Sequence, residues 1–99
     1  MSYRDKKLRD ASRGRTCIRC GADRETTVGA HYTGLRRHLL GGGMGHKSTD
    51  AAIADFCDRC HTEFDQYADE NDVERSEEFL FYIVMTWDRR CRAGRVRIV

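Results

Sequence analysis

Two CxxC pairs constrain this 99-residue chain more than any other feature of its sequence. Cys17 and Cys20 form the first pair, and Cys57 and Cys60 form the second, beyond a spacer over residues 21–56. A CxxC turn directs two thiolates at one ion, and a second turn closes a tetrahedral site with Zn–S distances of about 2.3 Å. The pairs therefore predict one structural Zn²⁺. Four unrelated buried thiols are the alternative, and a redox centre is disfavoured because no βαβ pattern accompanies the pairs.

The rest of the composition suits a reducing compartment. The five cysteines are an odd number, which argues against a complete disulfide framework. The longest apolar run, over residues 79–85, is too short to span a bilayer, and no apolar stretch follows the basic N-terminus. We therefore expect a cytoplasmic protein with no membrane partner. Because 34% of its residues are charged, its core is small and zinc binding contributes to its folding free energy.

The formal net charge of +2 conceals a strong segregation of charge. Residues 1–24 carry eight Lys or Arg against three Asp, and residues 86–99 carry five Arg against one Asp. Residues 49–78 carry eleven Asp or Glu against only two Arg. Two basic ends around an acidic middle suit a protein that contacts phosphates and keeps carboxylates near a cation. The same charges also suit the solvated surface of a small domain.

The residue pattern predicts a single α+β domain over residues 1–99. Helices are expected over residues 3–12, 61 to about 67, and 74–91. The apolar face of the last helix comprises Phe79, Leu80, Ile83, Val84, Trp87 and Cys91, and Cys91 is expected in the core. Residues 26–32 predict a strand, residues 51–56 a helical turn or short strand, and residues 96–98 a final strand or tail. Five of the nine glycines fall in residues 34–45, which predicts a flexible loop or a close backbone approach to a ligand.

Four short motifs occur in an order that resembles a known family. They are CIRC at residues 17–20, GAHYTG at 29–34, GGGMG at 41–45 and CDRCH at 57–61. The order of strand, histidine, glycine-rich loop and helix-opening CxxCH resembles that of the HNH, or ββα-metal, endonucleases. The chain is most similar to small prophage-encoded predicted nucleases of the YbcO type, through residues 8–14, 26–31, 43–50 and 61–65. The resemblance covers about residues 4–66. It implies a small zinc-stapled ββα-metal fold of HNH or treble-clef-like type, with an N-terminal helix and a longer C-terminal helix.

The resemblance also implies roles for individual residues. His31 would be the general base, a task that a neutral imidazole performs near pH 7 without further tuning. His61 and Asp65 would bind the catalytic Mg²⁺ or another divalent cation. Their i, i+4 spacing places both on one helix face, as it would on an ordinary solvated helix. Asp50 is a candidate metal ligand, orienting group or cap, and Lys47 matches a family position that could touch the scissile strand.

Two departures from the family pattern bear on the metal site. Ala30 stands immediately before His31, where many HNH proteins have Asp or His, and alanine cannot bind metal. The middle Asn of the motif has no clear equivalent, since Asp50 lies two residues further from the helix than usual. A weakened site would give a slow nuclease, another cation preference, or DNA binding without cleavage. His38 is expected to contact phosphate or solvent, and His46 is expected to be exposed, with a catalytic role as the less favoured alternative.

Charge and resemblance together favour DNA as the partner. The expected phosphate contacts are basic residues of the N-terminal segment and the glycine-rich region, namely Arg4, Lys6, Lys7, Arg9, Arg13, Arg15, Arg36 and Arg37. The leading hypothesis is an HNH endonuclease that hydrolyses DNA phosphodiester bonds, directed by structure rather than sequence, in phage or prophage recombination or DNA processing in a bacterial host. The alternatives are a non-catalytic zinc module that binds nucleic acid or a protein, and a purely structural zinc protein. The crowded aromatic residues of the last helix suit a homodimer or packing against the zinc knuckle.

Overall fold

Two short antiparallel strands lie between the two cysteine pairs. The structure, a computed structural model, describes residues 3–22, 25–43, 45–65 and 72–96. Its elements are α1 (Lys6–Asp10), β1 (Val28–His31), a 3-10 helix (Arg37–Leu40), β2 (Ile53–Phe56), α2 (Asp58–Asp65) and α3 (Val73–Arg92). The predicted α+β class is confirmed. The more specific HNH fold remains a prediction.

The two strands pair over their full length. Val28 pairs with Phe56 and His31 pairs with Ile53 in an antiparallel register. All four residues of β2 are buried, whereas β1 buries only Ala30. This difference arises because α3 packs against β2 and the short α1 packs against β1. His31 therefore lies at the end of a partly covered strand.

Side chains cap the first and last helices. Asp5 accepts a hydrogen bond from the backbone N–H of Lys7 at 2.9 Å, at the start of α1. Asp72 accepts one from the backbone N–H of Arg75 at 3.0 Å, at the start of α3. Each cap satisfies an N–H group that has no partner within its helix. The first helix is shorter than predicted, because α1 begins only after Asp5.

An aromatic cluster forms the centre of the core. Phe56 from β2, Phe64 from α2 and Phe79 from α3 have ring centroids 5.1 to 5.3 Å apart. Tyr32, which follows β1, approaches Phe79 at 5.5 Å. Ring pairs at these separations add about 0.5–1.5 kcal/mol each beyond the burial of their area. The cluster therefore joins the sheet to α2 and α3.

A buried carboxylate fixes how α3 packs on the sheet. Asp55 of β2 is fully buried, with Oδ2 at 2.7 Å from Arg89 NH2 and Oδ1 at 3.3 Å from Arg90 NH2. Arg90 is itself only 1% exposed. A buried ion pair adds little net stability, but loss of one partner would leave an unpaired charge in the core. Asp55 and the two arginines thus specify one arrangement of α3 on β2.

The buried face of α3 differs from the predicted apolar face. Phe79 and Ile83 are buried as predicted, but Leu80 and Val84 are 40% and 63% exposed. Cys91 is also exposed, so its predicted place in the core is wrong. The remaining buried positions of the helix carry polar side chains, at Ser76, Thr86 and Arg90.

These polar side chains are buried because each has a partner. Ser76 Oγ accepts a hydrogen bond from the backbone N–H of Leu35 at 2.9 Å and also contacts the hydroxyl of Tyr32. Thr86 Oγ1 accepts from the backbone N–H of Asp55 at 3.1 Å. Apolar periodicity cannot reveal such positions, since their partners lie elsewhere in the chain.

The glycine-rich segment contains regular structure that was predicted to be loop. The 3-10 helix at Arg37–Leu40 ends at Gly41, whose φ of 85° lies in the left-handed region that favours glycine. A Cβ atom on Gly42 would lie 2.7 Å from Ser48 Oγ. The close backbone approach predicted for this segment is therefore an approach to one of the protein's own side chains.

Two predicted elements extend beyond the described residues. The helix expected to reach about residue 67 is described as far as Asp65, and the final strand or tail is described only at Val96. Within the described parts of the chain, no helix is long and apolar enough to cross a membrane.

Several apolar side chains of α3 face outward. Val73, Leu80, Phe81 and Val84 are all exposed. Nothing in the described residues identifies what covers these side chains. The homodimer therefore stays a prediction.

Two phenylalanines of α3 give a matched test of this core. We expect Phe79→Ala to lower the free energy of unfolding by about 3–5 kcal/mol, because the ring packs against three other aromatic rings. Phe81→Ala, at a position that is 59% exposed, should change it by less than about 0.5 kcal/mol. Urea denaturation followed by circular dichroism measures both values. Equal losses would contradict the buried face described here.

Candidate functional site

The four cysteines of the two CxxC pairs meet at one point. Their Sγ atoms all lie within 4.8 Å of one another, and Cys20 Sγ lies 3.8 Å from Cys57 Sγ. A tetrahedron with Zn–S bonds of about 2.3 Å has edges of about 3.8 Å. A disulfide would instead hold two sulfurs about 2.05 Å apart, and all four thiols are free. The cluster could therefore hold a metal ion such as zinc.

The surroundings of the cluster suit a bound cation. Burial raises the pKa of the Cys60 thiol to about 12, so a thiolate at this position needs positive charge nearby. Arg19 NH1 lies 3.6 Å from Cys60 Sγ and also pairs with Glu63. Four thiolates around one divalent ion carry excess negative charge, and Arg19 offsets part of it.

The cluster joins the segment before β1 to the start of α2. Cys60 lies within the first turn of α2, and Cys17 lies in the turn that precedes β1. The backbone N–H of Ile18 donates to the carbonyl oxygen of Asp55 at 2.7 Å, which ties the first pair to β2 as well. A metal ion bound by the cluster would consequently hold α2 in a set position relative to both strands.

His31 ends β1 with one ring nitrogen against a carboxylate. Its Nε2 lies 2.6 Å from Asp50 Oδ1. Burial lowers the pKa of His31 below its ordinary value of 6.5, and the bond to Asp50 opposes this only in part. The ring is therefore neutral at pH 7, and since an ionised carboxylate can only accept, Nε2 carries the proton. Nδ1 then has the lone pair that can accept one.

Asp50 orients His31 and has no oxygen left for a metal. It is fully buried, and Oδ1 also accepts from Arg4 NH1 at 3.0 Å. Oδ2 accepts from the backbone N–H of Asp5 at 2.6 Å, with Arg9 Nε at 3.4 Å. Burial alone would raise the pKa of Asp50, but the bonds from Asp5, His31 and Arg4 outweigh it and hold the pKa below its usual value. Of the roles that the sequence left open, this geometry supports positioning of the imidazole.

His61 and Asp65 lie together on one face of α2, as their spacing predicts. His61 Nε2 lies 2.7 Å from Asp65 Oδ2. With His31, they line an open depression of about 300 Å³. An imidazole nitrogen and a carboxylate oxygen suit a divalent cation. Among the described residues, the four cysteines are the only His, Cys, Asp or Glu side chains that place three or more ligand atoms within 4.8 Å of one another. A cation bound by His61 and Asp65 would therefore take its other ligands from water or substrate.

Further polar groups complete the depression around His31. Lys47 and Arg37 line it, as does His46, which is exposed as predicted. His46 reaches this place because it exchanges two backbone hydrogen bonds of 2.9 Å with Gly43, a turn that no local motif signals. Ala30 is fully buried in the core, so the side chain before His31 faces away from the depression.

A basic groove adjoins the depression along α1. It measures about 710 Å³, and Lys6, Arg9 and Arg13 line it together with His31 and Lys47. Lys6 forms an exposed ion pair with Asp10, and such pairs contribute at most about 1 kcal/mol. Asp10 also lines the groove, so the lining next to the histidine carries four basic side chains against one carboxylate.

Arg4 occupies a different place from the one predicted. Its NH2 donates to the carbonyl oxygen of Lys47 at 2.6 Å, and its NH1 donates to that of Ser48 at 2.9 Å as well as to Asp50. The guanidinium thus holds the segment that carries Lys47. Arg4 is a structural residue of the site and does not line the groove.

The other predicted phosphate contacts do not all share one surface. Arg37 lines the depression, whereas Lys7 and Arg36 are exposed and line neither the depression nor the groove. Arg15 lines a separate depression near the end of α3. The fold therefore gathers only part of the predicted basic set around His31.

Comparisons with protein-family models, with curated proteins and with solved structures found no match to this chain. The resemblance to HNH endonucleases accordingly rests on the sequence motifs alone. It remains a proposal.

The metal site can be tested by comparing two cysteines. We expect purified protein to contain one zinc per chain and Cys57→Ser to lose it and melt at a lower temperature, because structural zinc binding adds directly to folding. Cys91→Ser is the control, since Cys91 is exposed and lies outside the cluster. Elemental mass spectrometry and thermal unfolding with and without chelator provide the measurements. A zinc-free wild-type protein that stays folded in chelator would contradict the site.

The state of His31 can be followed by NMR. We expect its imidazole to titrate below pH 6.5 and, when neutral, to carry its proton on Nε2, because burial disfavours the imidazolium and Asp50 accepts from Nε2. Lowering the pH through this pKa should therefore charge the ring, and raising it should leave it neutral. Nitrogen-15 shifts recorded across the titration identify both the pKa and the tautomer. A pKa above 6.5, or a proton on Nδ1, would refute this geometry.

Proposed function

We propose that this protein is a metal-dependent endonuclease of the HNH class that hydrolyses DNA phosphodiester bonds. The observation that carries the proposal is the convergence of His31, His61 and Asp65 on one depression, beside a groove lined by basic side chains. The order of strand, strand and helix around a cysteine cluster supports the same class.

His31 is the general base in this proposal. Its Nδ1 takes a proton from water as the water oxygen bonds to phosphorus and the P–O bond to the leaving strand breaks. Asp50, 2.6 Å from Nε2, keeps the ring in the required tautomer and stabilises the imidazolium that forms. Because the pKa of His31 lies below 6.5, the base is neutral at pH 7.

Two metal ions have separate roles in the proposal. The four cysteines hold a structural Zn²⁺, which keeps β1 and α2 in register. His61 and Asp65 would hold the catalytic cation, Mg²⁺ or another divalent ion, which when bound stabilises the charge of the phosphate and of the leaving oxygen. The zinc would take no part in the chemistry, but it would set the spacing between the base and the ligand pair, since its ligand Cys60 directly precedes His61.

The basic side chains position the DNA backbone. Lys47 and Arg37 face the same depression as His31 and would contact the scissile phosphate, while the groove along α1 would contact its neighbours. Contacts of this kind are independent of sequence and weaken steeply with salt. We therefore propose that DNA structure directs the enzyme, in phage or prophage recombination or DNA processing, a setting that rests on the resemblance alone.

A binding module without cleavage is the second candidate. One observation favours it: His61 and Asp65 have no third His, Cys, Asp or Glu ligand close by in the described parts of the chain. Such a module would use the same basic groove to bind nucleic acid, and its zinc would be purely structural. The two candidates differ in whether His31 does chemistry.

A plasmid-nicking assay distinguishes them. With Mg²⁺, Mn²⁺ or Ni²⁺, we expect His31→Ala to slow cleavage by about 10²–10⁴-fold, the usual contribution of a general base, while DNA binding is unchanged. His61→Ala should also lose cleavage and keep binding. His38→Ala should cleave like wild type, because His38 is exposed and does not line the depression.

The negative outcomes are equally informative. If wild-type protein cuts no form of DNA with any cation but binds it, the enzyme is rejected and the binding module stands. If it neither cuts DNA nor binds it in a salt-sensitive way, both candidates fail and a structural zinc protein remains.

A further inference from the structure

A second basic depression lies at the end of α3, away from the histidines. It measures about 500 Å³, and Arg15, Arg89 and Arg95 line it together with Gly14 and Thr16. Three guanidinium groups around one open cavity suit an anion whose oxygens can each accept a hydrogen bond, as a phosphate does.

The positive charge around this depression exceeds the negative charge that the described residues provide. Arg89 and Arg90 both pair with Asp55, whose two oxygens are occupied in this way. Arg15 and Arg95 form no ion pair with any described residue. These arginines lie close enough to affect one another. The pKa of Arg95 is lowered mainly by burial and to a smaller extent by the charges of Arg15 and Arg90.

Several guanidinium N–H groups here also lack acceptors. Among the described residues, Arg89 Nε and Arg95 Nε are buried without a hydrogen-bond partner, as are Nε and NH1 of the neighbouring Arg90, which does not itself line the depression. Unpaired buried donors, charged ones above all, are costly, and native proteins retain few of them. An incoming anion would compensate the excess charge.

Two of the three guanidinium groups, those of Arg89 and Arg95, are held in place before any ligand arrives. Arg89 donates from NH1 to Thr16 Oγ1 at 3.0 Å and from NH2 to the Thr16 carbonyl oxygen at 2.8 Å. Arg95 NH1 donates to the carbonyl oxygen of Ala11 at 3.3 Å. Side chains fixed in this way lose little conformational entropy on binding.

The depression is separate from the basic groove next to His31, but neighbouring residues of the chain line the two. Arg13 lines the groove, and the next two residues, Gly14 and Arg15, line the second depression. Consecutive Cα atoms are about 3.8 Å apart, so the Cα atoms of Arg13 and Arg15 lie within about 8 Å of each other, although the two surfaces share no lining residue. A phosphodiester backbone seated in the groove would pass from Arg13 to this second cluster.

We propose that Arg15, Arg89 and Arg95 form a second phosphate-binding site, which holds the nucleic-acid backbone beyond the groove that serves His31. The proposal rests on the proposed function in taking DNA as the partner. The site adds affinity and fixes the direction of the duplex on the protein. It takes no part in cleavage.

The salt dependence of DNA binding tests this site. Each lost phosphate contact reduces the slope of log K against log salt concentration by about 0.9 for duplex DNA. We expect Arg15→Gln and Arg95→Gln each to lower the slope by about this amount, and the double variant by about twice it. Fluorescence anisotropy of a labelled duplex longer than the 35 Å length of the protein provides the measurement.

Arg92→Gln is the matched control, because it removes the same charge near the same helix end from a residue that lines no part of the depression. Its slope should equal that of wild type, and circular dichroism verifies that all variants are folded. Arg15→Gln is not expected to disturb folding, because Arg15 is exposed. Among the described residues, its backbone N–H forms a hydrogen bond and its side chain forms none. Wild-type affinity and slope in Arg15→Gln and Arg95→Gln would overturn the site.

An inorganic phosphate titration separates a backbone phosphate from a free one. If phosphate raises the melting temperature of wild type but not of the variants, and DNA binding is the same in all, the site binds free anions and the assignment to nucleic acid is wrong. These readouts do not depend on cleavage, so an inactive protein that binds DNA still tests the site. A wild-type protein that binds no DNA refutes the site and its partner together.

Discussion

The convergence of four thiols from two distant CxxC turns is the constraint on which the rest of this structure depends. The strands are only four residues long and α1 only five, so their own hydrogen bonds contribute little to independent stability. A metal bound by the cysteines would connect the turn before β1 to the first turn of α2. The aromatic cluster then packs against elements whose relative positions are already restricted. The zinc would therefore substitute for core volume that a chain of 99 residues lacks.

Two buried aspartates organise the molecule in the same manner. Asp50 collects Arg4, the backbone of Asp5 and the ring of His31, and Asp55 collects Arg89 and Arg90. Each carboxylate is fully enclosed and joins segments that are far apart in sequence. Buried ion pairs of this sort specify an arrangement more than they add stability. One arrangement positions a histidine, and the other positions the arginines at the end of α3.

The sequence predicted the parts of this architecture that local chemistry encodes. The CxxC spacing predicted the cluster, and the i, i+4 spacing of His61 and Asp65 predicted their shared face, because both depend on fixed backbone geometry. The face of α3 was predicted only in part, since Thr86 and Arg90 are buried by bonds to Asp55, which apolar periodicity does not register. The same limit applied to Asp50. Its partner Arg4 lies 46 residues earlier in the sequence, and no local pattern predicts a pair so far apart.

The buried aspartates also change the meaning of the net charge. A formal charge of +2 describes a nearly balanced chain, yet Asp50 and Asp55 are enclosed with arginines and present no carboxylate to solvent. Much of the remaining acidic charge belongs to residues of α2 and α3, whereas Lys6, Arg9 and Arg13 share one groove. A polyanion approaching that groove meets a field far more positive than the composition indicates. The proposal of a nucleic-acid partner thus rests on how burial segregates the charges of a nearly neutral chain, since the net charge alone does not favour a polyanion.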